Sequence, residues 1–466
     1  MKKLLSTVTA IVALASVATA CGGGTTTSQP ADKGAAKPDT KATAPATETK
    51  TDTKTDTGQK AEIKFFSNNP DRTGGQGKAE QMLIDQYMKE NPNVKITVET
   101  LSPDPQFQDK LKIYNVSGVL PEVTMMWGGA RYLGPFVKNN ALVSFTKDDF
   151  KGQGFIDAAF DSFSMNGKIY GIPKNTDFLV LYVNKKLLAD RGLEPPKTES
   201  DLFKIAEKLK GTGVVPISLD GRDAWPLGLL FDAVVSRQSG GFDLYHKAID
   251  RTGSFKDPAV VTSAKKLQDM VKSGVFGEGF LNLDYGAARN LFGQGKAAMY
   301  LMGQWEMGLS TDANFPQDVR DNMIAIPYPA SDDGKSPTTD LLAWFGGGYS
   351  VSSKSKNTEE AKKFAIWMFK KENWAKTVWQ NGITFPAQSY DEFATGKETQ
   401  VQKDLTNILK SAKNISGANS QDRFSASTSK GYLDAITELL ALKSTPEKFA
   451  EVIDGIADKS NKELNP

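Results

Sequence analysis

Two hydrophobic rhythms interleave along the chain from residue 61 onward. Ile63-Lys64-Phe65-Phe66 reads as a short strand that ends in the turn residues Ser67-Asn68-Asn69-Pro70. Ala79, Met82, Leu83 and Tyr87 then mark one face of a helix that stops at Asn91-Pro92, and Ile96-Thr97-Val98 reads as the next strand. Thr198-Glu199-Ser200-Asp201 has the form of a capping box, and the helix it opens places Leu202, Ile205, Ala206 and Leu209 on one face. Asn357 to Glu360 opens another helix in the same way, with Ala361, Phe364, Ala365 and Met368 inward. Trp367 and Trp374, seven apart, read as core. Ala297 to Met302 is an apolar strand-like run closed by Gly303, and Trp305 follows two positions later. Strand and helix signals in alternation predict an α/β fold with mainly parallel sheets covered by helices on both faces. About 400 residues exceed what one compact core holds, so two domains are expected. No repeat of solenoid period is present.

The pattern before residue 61 is different. Lys2 and Lys3 precede an uncharged apolar or small-residue run, Leu4 to Ala20, shorter than the roughly 20 residues of a membrane span. Small residues then lead into Ala18-Thr19-Ala20-Cys21, which resembles the lipobox of bacterial lipoproteins, with Ala18 where Leu is usual. Cys21 is the only cysteine, so no intrachain disulfide is available, and diacylation gives the lone thiol a purpose. Two acyl chains suffice for stable anchoring. Thr25 to Lys60 contain no Ile, Leu, Val, Met or aromatic residue and read as a tether with a coil dimension on the order of 30 Å. The expected plan is a signal peptide at 1–20, a lipidated Cys21 with a linker to 60, and a body held off the outer face of the cell membrane.

The formal net charge of +2 and the lack of a basic block argue against nucleic acid as a partner. His246 is the single histidine; His-rich metal sites are thereby excluded, and His246 is given no role. No Asp/Asn-rich calcium loop, nucleophile elbow or cofactor fingerprint occurs, so no cofactor or metal is expected. Gly346-Gly347-Gly348 lacks the Gly-Lys-Ser/Thr ending of a phosphate loop and reads as a place of close backbone approach.

Five segments share one likeness: Phe66 to Asn69 with Asn93 to Thr100; Leu120-Pro121-Glu122-Val123 into Met125-Met126-Trp127; Asn166-Gly167-Lys168-Ile169-Tyr170-Gly171-Ile172-Pro173 with Leu181 to Lys185 and Pro195 to Thr198; Gly295 to Trp305; and Gly346 to Val351. Through them the chain resembles the extracellular solute-binding proteins of ABC importers, in the sugar-binding branch that includes maltose-binding protein. The resemblance implies two α/β lobes joined by crossing strands, with the ligand enclosed between them and delivered to a membrane permease. Lobe 1 is expected at 61–175 and 327–380, lobe 2 at 176–326 and 381–466. The crossings are placed near Lys174 to Phe178, Ile326 to Pro329, and Trp379 to Phe385. A ligand that touches both lobes only when they meet stabilises the closed form by differential affinity. A monomer is expected.

The same resemblance places ligand contacts on Trp127, Arg131, Asp177, Asp220, Trp225 and Trp305, the last as the stacking tryptophan. An acid that precedes the arginine in the maltose-binding branch is Ala130 here. Asn68 and Asn69, at the end of the first strand, and Trp344, before the glycine run, complete the candidates. Aromatic planes for the C–H faces of a sugar and polar groups for its hydroxyls suit such a cleft. The ligand expected is a neutral mono- or oligosaccharide. Two other readings stand beside it: a glycan-active enzyme using two of the 55 acids, and a co-receptor that presents ligand to a membrane sensor.

Overall fold

The computed structural model describes residues 61–465, so the signal peptide, Cys21 and the tether lie outside the described residues. Two sheets organise the body. In the first, Val94–Thr100, Ala61–Ser67 and Val123–Trp127 run parallel, and Gly347–Val351 lies antiparallel between Val123–Trp127 and Ile172–Pro173. In the second, the order is Asn414–Gly417, Asp340–Trp344, Asp177–Asn184, Ala297–Gly303, Val215–Ser218, and Met323–Ile326 also pairs with Asp177–Asn184. Asp177–Asn184 is antiparallel to each of its three neighbours. The sheets are therefore mixed, whereas mainly parallel ones were expected. The strands that enter a lobe from the other one run against the local direction, and a reading of strand and helix signals alone does not register that.

Asp177–Asn184 shows how the sequence makes the core. All eight residues are buried, as in a strand covered on both faces. The two-residue period sends Leu179, Leu181 and Val183 into one apolar cluster and Phe178, Val180 and Tyr182 into another, on the opposite face. Trp225–Ser239 is buried almost all round, packed into the larger of these clusters. A separate cluster built on Phe65, Phe66, Met125 and Tyr349 fills the first lobe. The capping box at Thr198 and Asp201 forms as expected. The helix at Thr358–Met368 forms too, but Asn357 does not cap it with its side chain, which binds the Glu62 carbonyl instead. Met82 stands 43% exposed instead of facing inward. Trp374 is fully buried, and Trp367 is partly buried against the same core.

The chain passes between the sheets three times. It leaves the first at Pro173 and enters the second at Asp177. It returns from Trp344 to Gly347, and the third passage runs beside the first, where the Thr176 N–H donates to the Phe385 carbonyl at 3.0 Å and Asn175 bridges to Pro386. The second passage thus lies well after the expected Ile326 to Pro329. Residues 340–344, placed beforehand in lobe 1, pair with the second sheet. The intervening loop is gathered onto the buried Arg237, whose guanidinium donates to the carbonyls of Tyr328, Pro329, Pro337 and Asp340. In sequence, Leu341 to Val351 reads as one apolar and glycine run, which hides the break between two strands of different sheets.

Candidate functional site

The carboxyl ends of the strands lie beside the crossing segments, where ligands collect in folds of this kind. From the second lobe, Trp225, Trp305 and Trp344 come together with Tyr285. Trp225 and Trp305 have ring centroids 6.0 Å apart, Trp225 and Tyr285 are stacked at 6.1 Å, and Trp344 meets Trp305 edge-on at 6.0 Å. Trp344 is 8% exposed and supports Trp305 from behind. The Trp305 indole N–H donates to the Tyr285 hydroxyl at 3.1 Å. Tyr285 in turn donates to the Glu306 carboxylate, which Arg289 holds at 2.9 Å. The indole N–H is consumed within the protein, so Trp305 has only its ring face to offer.

Trp225 opens its helix directly after Ala224, which sits at φ 65°. A residue with a Cβ rarely occupies this left-handed region, and holding one there costs on the order of 1–2 kcal/mol. Beneath the turn lies Asp220, 0% exposed, with one carboxylate oxygen accepting the Asp223 N–H at 3.1 Å and the other unpartnered. Burial and the neighbouring Asp223 push the Asp220 carboxyl well above the usual range. Asp220 therefore lies under the aromatic wall, while Asp223 and Trp225 occupy the turn above it.

The wall from the first lobe carries Phe107, Trp127 and Tyr132, with Trp127 5.7 Å from Phe107 and 5.5 Å from Tyr132. Asn68 donates to Asp104 at 2.9 Å and keeps its own carbonyl oxygen buried and unpartnered. Asn69 is committed elsewhere: it donates to Glu80 at 2.6 Å and to Ser67. Glu80, fully buried, also receives Ser67, Arg72 and Tyr349, and so stiffens the turn after the first strand. Arg131 reaches across to the second lobe, donating to the Gln421 carbonyl at 3.0 Å and lying 3.8 Å from Asp422, to which Tyr132 also donates at 3.0 Å.

Between the walls lie Lys174 and Asp177, both on the first crossing and both buried. Burial pushes the Asp177 carboxyl up to about 6, against the pull of Lys174 and of the Gly346 and Gly347 N–H groups. Burial likewise pulls the Lys174 ammonium down, opposed by Glu80, Asp177 and Asp104. The glycines are needed here. A Cβ on Gly347 would stand 2.9 Å from the Lys174 chain, and one on Gly346 would press on Trp344 and come within 3.4 Å of Asp177.

Residues 70–373 match the family described as bacterial extracellular solute-binding protein. The chain belongs to that family. It is 30% identical over 271 residues to an uncharacterised ABC transporter extracellular-binding protein of Pyrococcus horikoshii, across 55% of this chain and 58% of that protein. The match thus spans little more than half the length of that relative. It is 27% identical over 308 residues to the galactooligosaccharide-binding protein of Bacillus subtilis, across 63% of this chain and 66% of that one. A solved structure from work on xylan utilization by Caldanaerobius polysaccharolyticus superposes with a TM-score of 0.77 at 27% identity, covering 85% of this chain and 99% of the other. Among the described residues of this solute-binding protein, no helix is long and apolar enough to cross a membrane.

Of the residues singled out from sequence, Trp225, Trp305 and Trp344 come together in one cluster. Trp127 and Arg131 lie in the first lobe, Asp177 is buried on the first crossing, Asn68 is bound to Asp104, Asp220 is fully buried, and Asn69 is bound to Glu80. Sequence reasoning missed Asp104, Tyr132, Lys174, Asp223, Tyr285, Glu306 and Asp422. Tyr132 follows Arg131, and Lys174 opens the first crossing already singled out, and those positions were the available signal. Asp104 and Tyr285 open two separate helices and Asp422 lies in the turn Gln421–Arg423, with no shared local pattern to mark them.

Proposed function

We propose that this solute-binding protein captures a neutral mono- or oligosaccharide between its lobes and delivers it to the permease of an ABC importer, tethered by lipid on Cys21 at the outer face of the cell membrane. The observation that carries the reading is the aromatic cluster of Trp225, Tyr285 and Trp305 in the second lobe, with Trp127 and Tyr132 paired in the first and the buried Lys174 and Asp177 on the crossing that joins the lobes. Planes of this kind pack on the C–H faces of a sugar ring, and Asn68, Asp104 and Asp177 are the polar groups we assign to its hydroxyls. Relatives in the family are named as binding proteins, one of them for galactooligosaccharides, which supports capture over catalysis. The lipobox-like Ala18 to Cys21 supports the anchor.

The test is thermal unfolding against a panel of mono- and oligosaccharides, with amino acids, peptides and polyamines as the contrasting arm. A ligand of the native state at a hundredfold excess over Kd stabilises it by about 2.7 kcal/mol. A shift with one sugar family, absent in Trp305→Ala, is expected. A shift with an amino acid, peptide or polyamine alone would overturn the sugar, and turnover of the sugar would overturn capture without catalysis.

A further inference from the structure

His246, the only histidine and one without a role in the sequence reading, lies half-buried on the helix Asp243–Ile249 of the second lobe. Both of its nitrogens are engaged. Nε2 is 2.9 Å from the Ser416 carbonyl oxygen, which can only accept, so Nε2 carries the hydrogen. Nδ1 faces the guanidinium of Arg423, which can only donate, so Nδ1 presents its lone pair. These two partners allow one state of the ring: neutral, with hydrogen on Nε2. A second proton on Nδ1 would set one N–H against another, cation against cation.

Both partners lead to the cleft. Arg423 belongs to the turn Gln421–Arg423, whose Gln421 carbonyl and Asp422 carboxylate receive Arg131 and Tyr132 from the first lobe. Ser416 bonds through its hydroxyl to both the N–H and the carbonyl of Ala343, the residue before Trp344. The charged groups around the ring are few. Arg423 comes from the 421–423 turn and is ion-paired with Asp250, which caps the C-terminal end of the histidine's own helix; Asp243 and Lys247 lie on that helix, with Lys247 bound to Asp243 at 3.2 Å. The strand Asn414–Gly417 contributes no titratable side chain, and Tyr245 packs its ring 4.4 Å away. Burial first, and Arg423 next, hold the imidazole below its ordinary pKa, while the Ser416 carbonyl, Asp250 and Asp243 pull the other way.

We propose that His246 is a proton-operated latch on the contact between the lobes: neutral, it holds Arg423 and with it the 421–423 turn against Arg131 and Tyr132; protonated, it expels Arg423 and frees that turn. This regulates the site described above and rests on the reading that the ligand lies between the lobes. Acid would then loosen the closed form, and closure would release a proton.

The latch can be tested without any ligand. In the 15N-labelled full chain, one histidine gives one pair of imidazole nitrogen signals, which report tautomer and titration directly. The Nε2–H form is expected at neutral pH, with a midpoint below the ordinary value of about 6.5. In Asp422→Asn the midpoint is expected to rise, because the turn is no longer held by the first lobe. Loss of a carboxylate acting through charge alone would lower it, so the sign separates the two causes. Tyr132→Phe, which removes one hydroxyl and no charge, should give a smaller rise and serves as the milder variant. An unchanged or lowered midpoint in both variants, or the Nδ1–H tautomer in the native chain, would overturn the latch. A sugar screen that fails leaves these readouts intact, so failure of the latch and failure of the sugar assignment are distinct.

Discussion

The six-membered ring of Trp305 lies across the backbone of Gly303, so close that a Cβ on Gly303 would stand 2.0–2.3 Å from three of its ring carbons. The strand Ala297–Gly303 ends on the one residue that lets an indole fold back over its own chain. Gly303→Ala should therefore swing the ring away and reproduce most of the loss caused by Trp305→Ala. Truncating a central aromatic anchor costs about 2 kcal/mol or more, roughly 30-fold in affinity. Calorimetric titration of both single variants and the double variant checks this, with the double variant little worse than either single one. Native affinity in Gly303→Ala would place the platform elsewhere.

Tyr285 joins the platform to its anchor, accepting from Trp305 and donating to Glu306, which Arg289 and Asp312 tie down through an ion-pair network. Tyr285→Phe removes both hydrogen bonds while keeping the stack on Trp225. The expected loss of sugar affinity is about 1 kcal/mol, near fivefold. Affinity equal to the native protein in this variant would mean that the indole needs no such fixing.

The two-lobed α/β plan and the position of Trp305 just beyond a strand that ends in glycine were legible in the sequence for definite reasons. Apolar runs of period two and faces at helical spacing report local structure, and a strand that ends in glycine before tryptophan carries its own geometric explanation. The mixed strand directions and the second crossing were not legible. Leu341 to Val351 looks uniform, and only pairing partners far away in the chain, Phe178 on one side and Met126 on the other, reveal that it belongs to two sheets. The same limit applies at the cleft. Asn68 meets Asp104 and Arg131 meets Gln421 across 36 and 290 residues. Contacts of that separation leave no period or spacing to read.

Asp177 links stability to pH in a direction that can be worked out. Its folded pKa, about 6, lies above the ordinary value of 3.8, so folding favours the protonated form. The stability contributed by that proton is present below pH 3.8 and is lost as pH rises toward 6. At neutral pH the buried carboxylate is therefore a burden on the empty protein. Asp177→Asn should stabilise the fold at pH 7 by about 1–3 kcal/mol, seen as a higher unfolding temperature, and change little near pH 3. The same variant should bind sugar more weakly, since a charged acceptor between the walls is gone. Thermal unfolding at both pH values, with a titration at pH 7, tests the pair of outcomes. A variant that loses stability at pH 7 would show that the Gly346 and Gly347 N–H groups, with Lys174, outweigh the cost of burial.

Arg131 touches both the Gln421 carbonyl and the Asp422 carboxylate from the opposite lobe, and the side chains of Arg131 and Asp422 are only 12% and 17% exposed. A contact that joins the lobes stabilises the closed form whether or not it touches the ligand, and any such bias appears in the apparent affinity. Arg131→Ala and Asp422→Asn should each weaken sugar binding, chiefly by speeding dissociation. The double variant should be weaker than either by less than the sum, with a coupling energy of about 0.5–3 kcal/mol, the range for residues in direct contact. If Arg131 instead met the sugar directly and independently of Asp422, the two losses would add. A double-mutant cycle on Kd, read with stopped-flow dissociation rates, decides between closure contact and ligand contact for this residue.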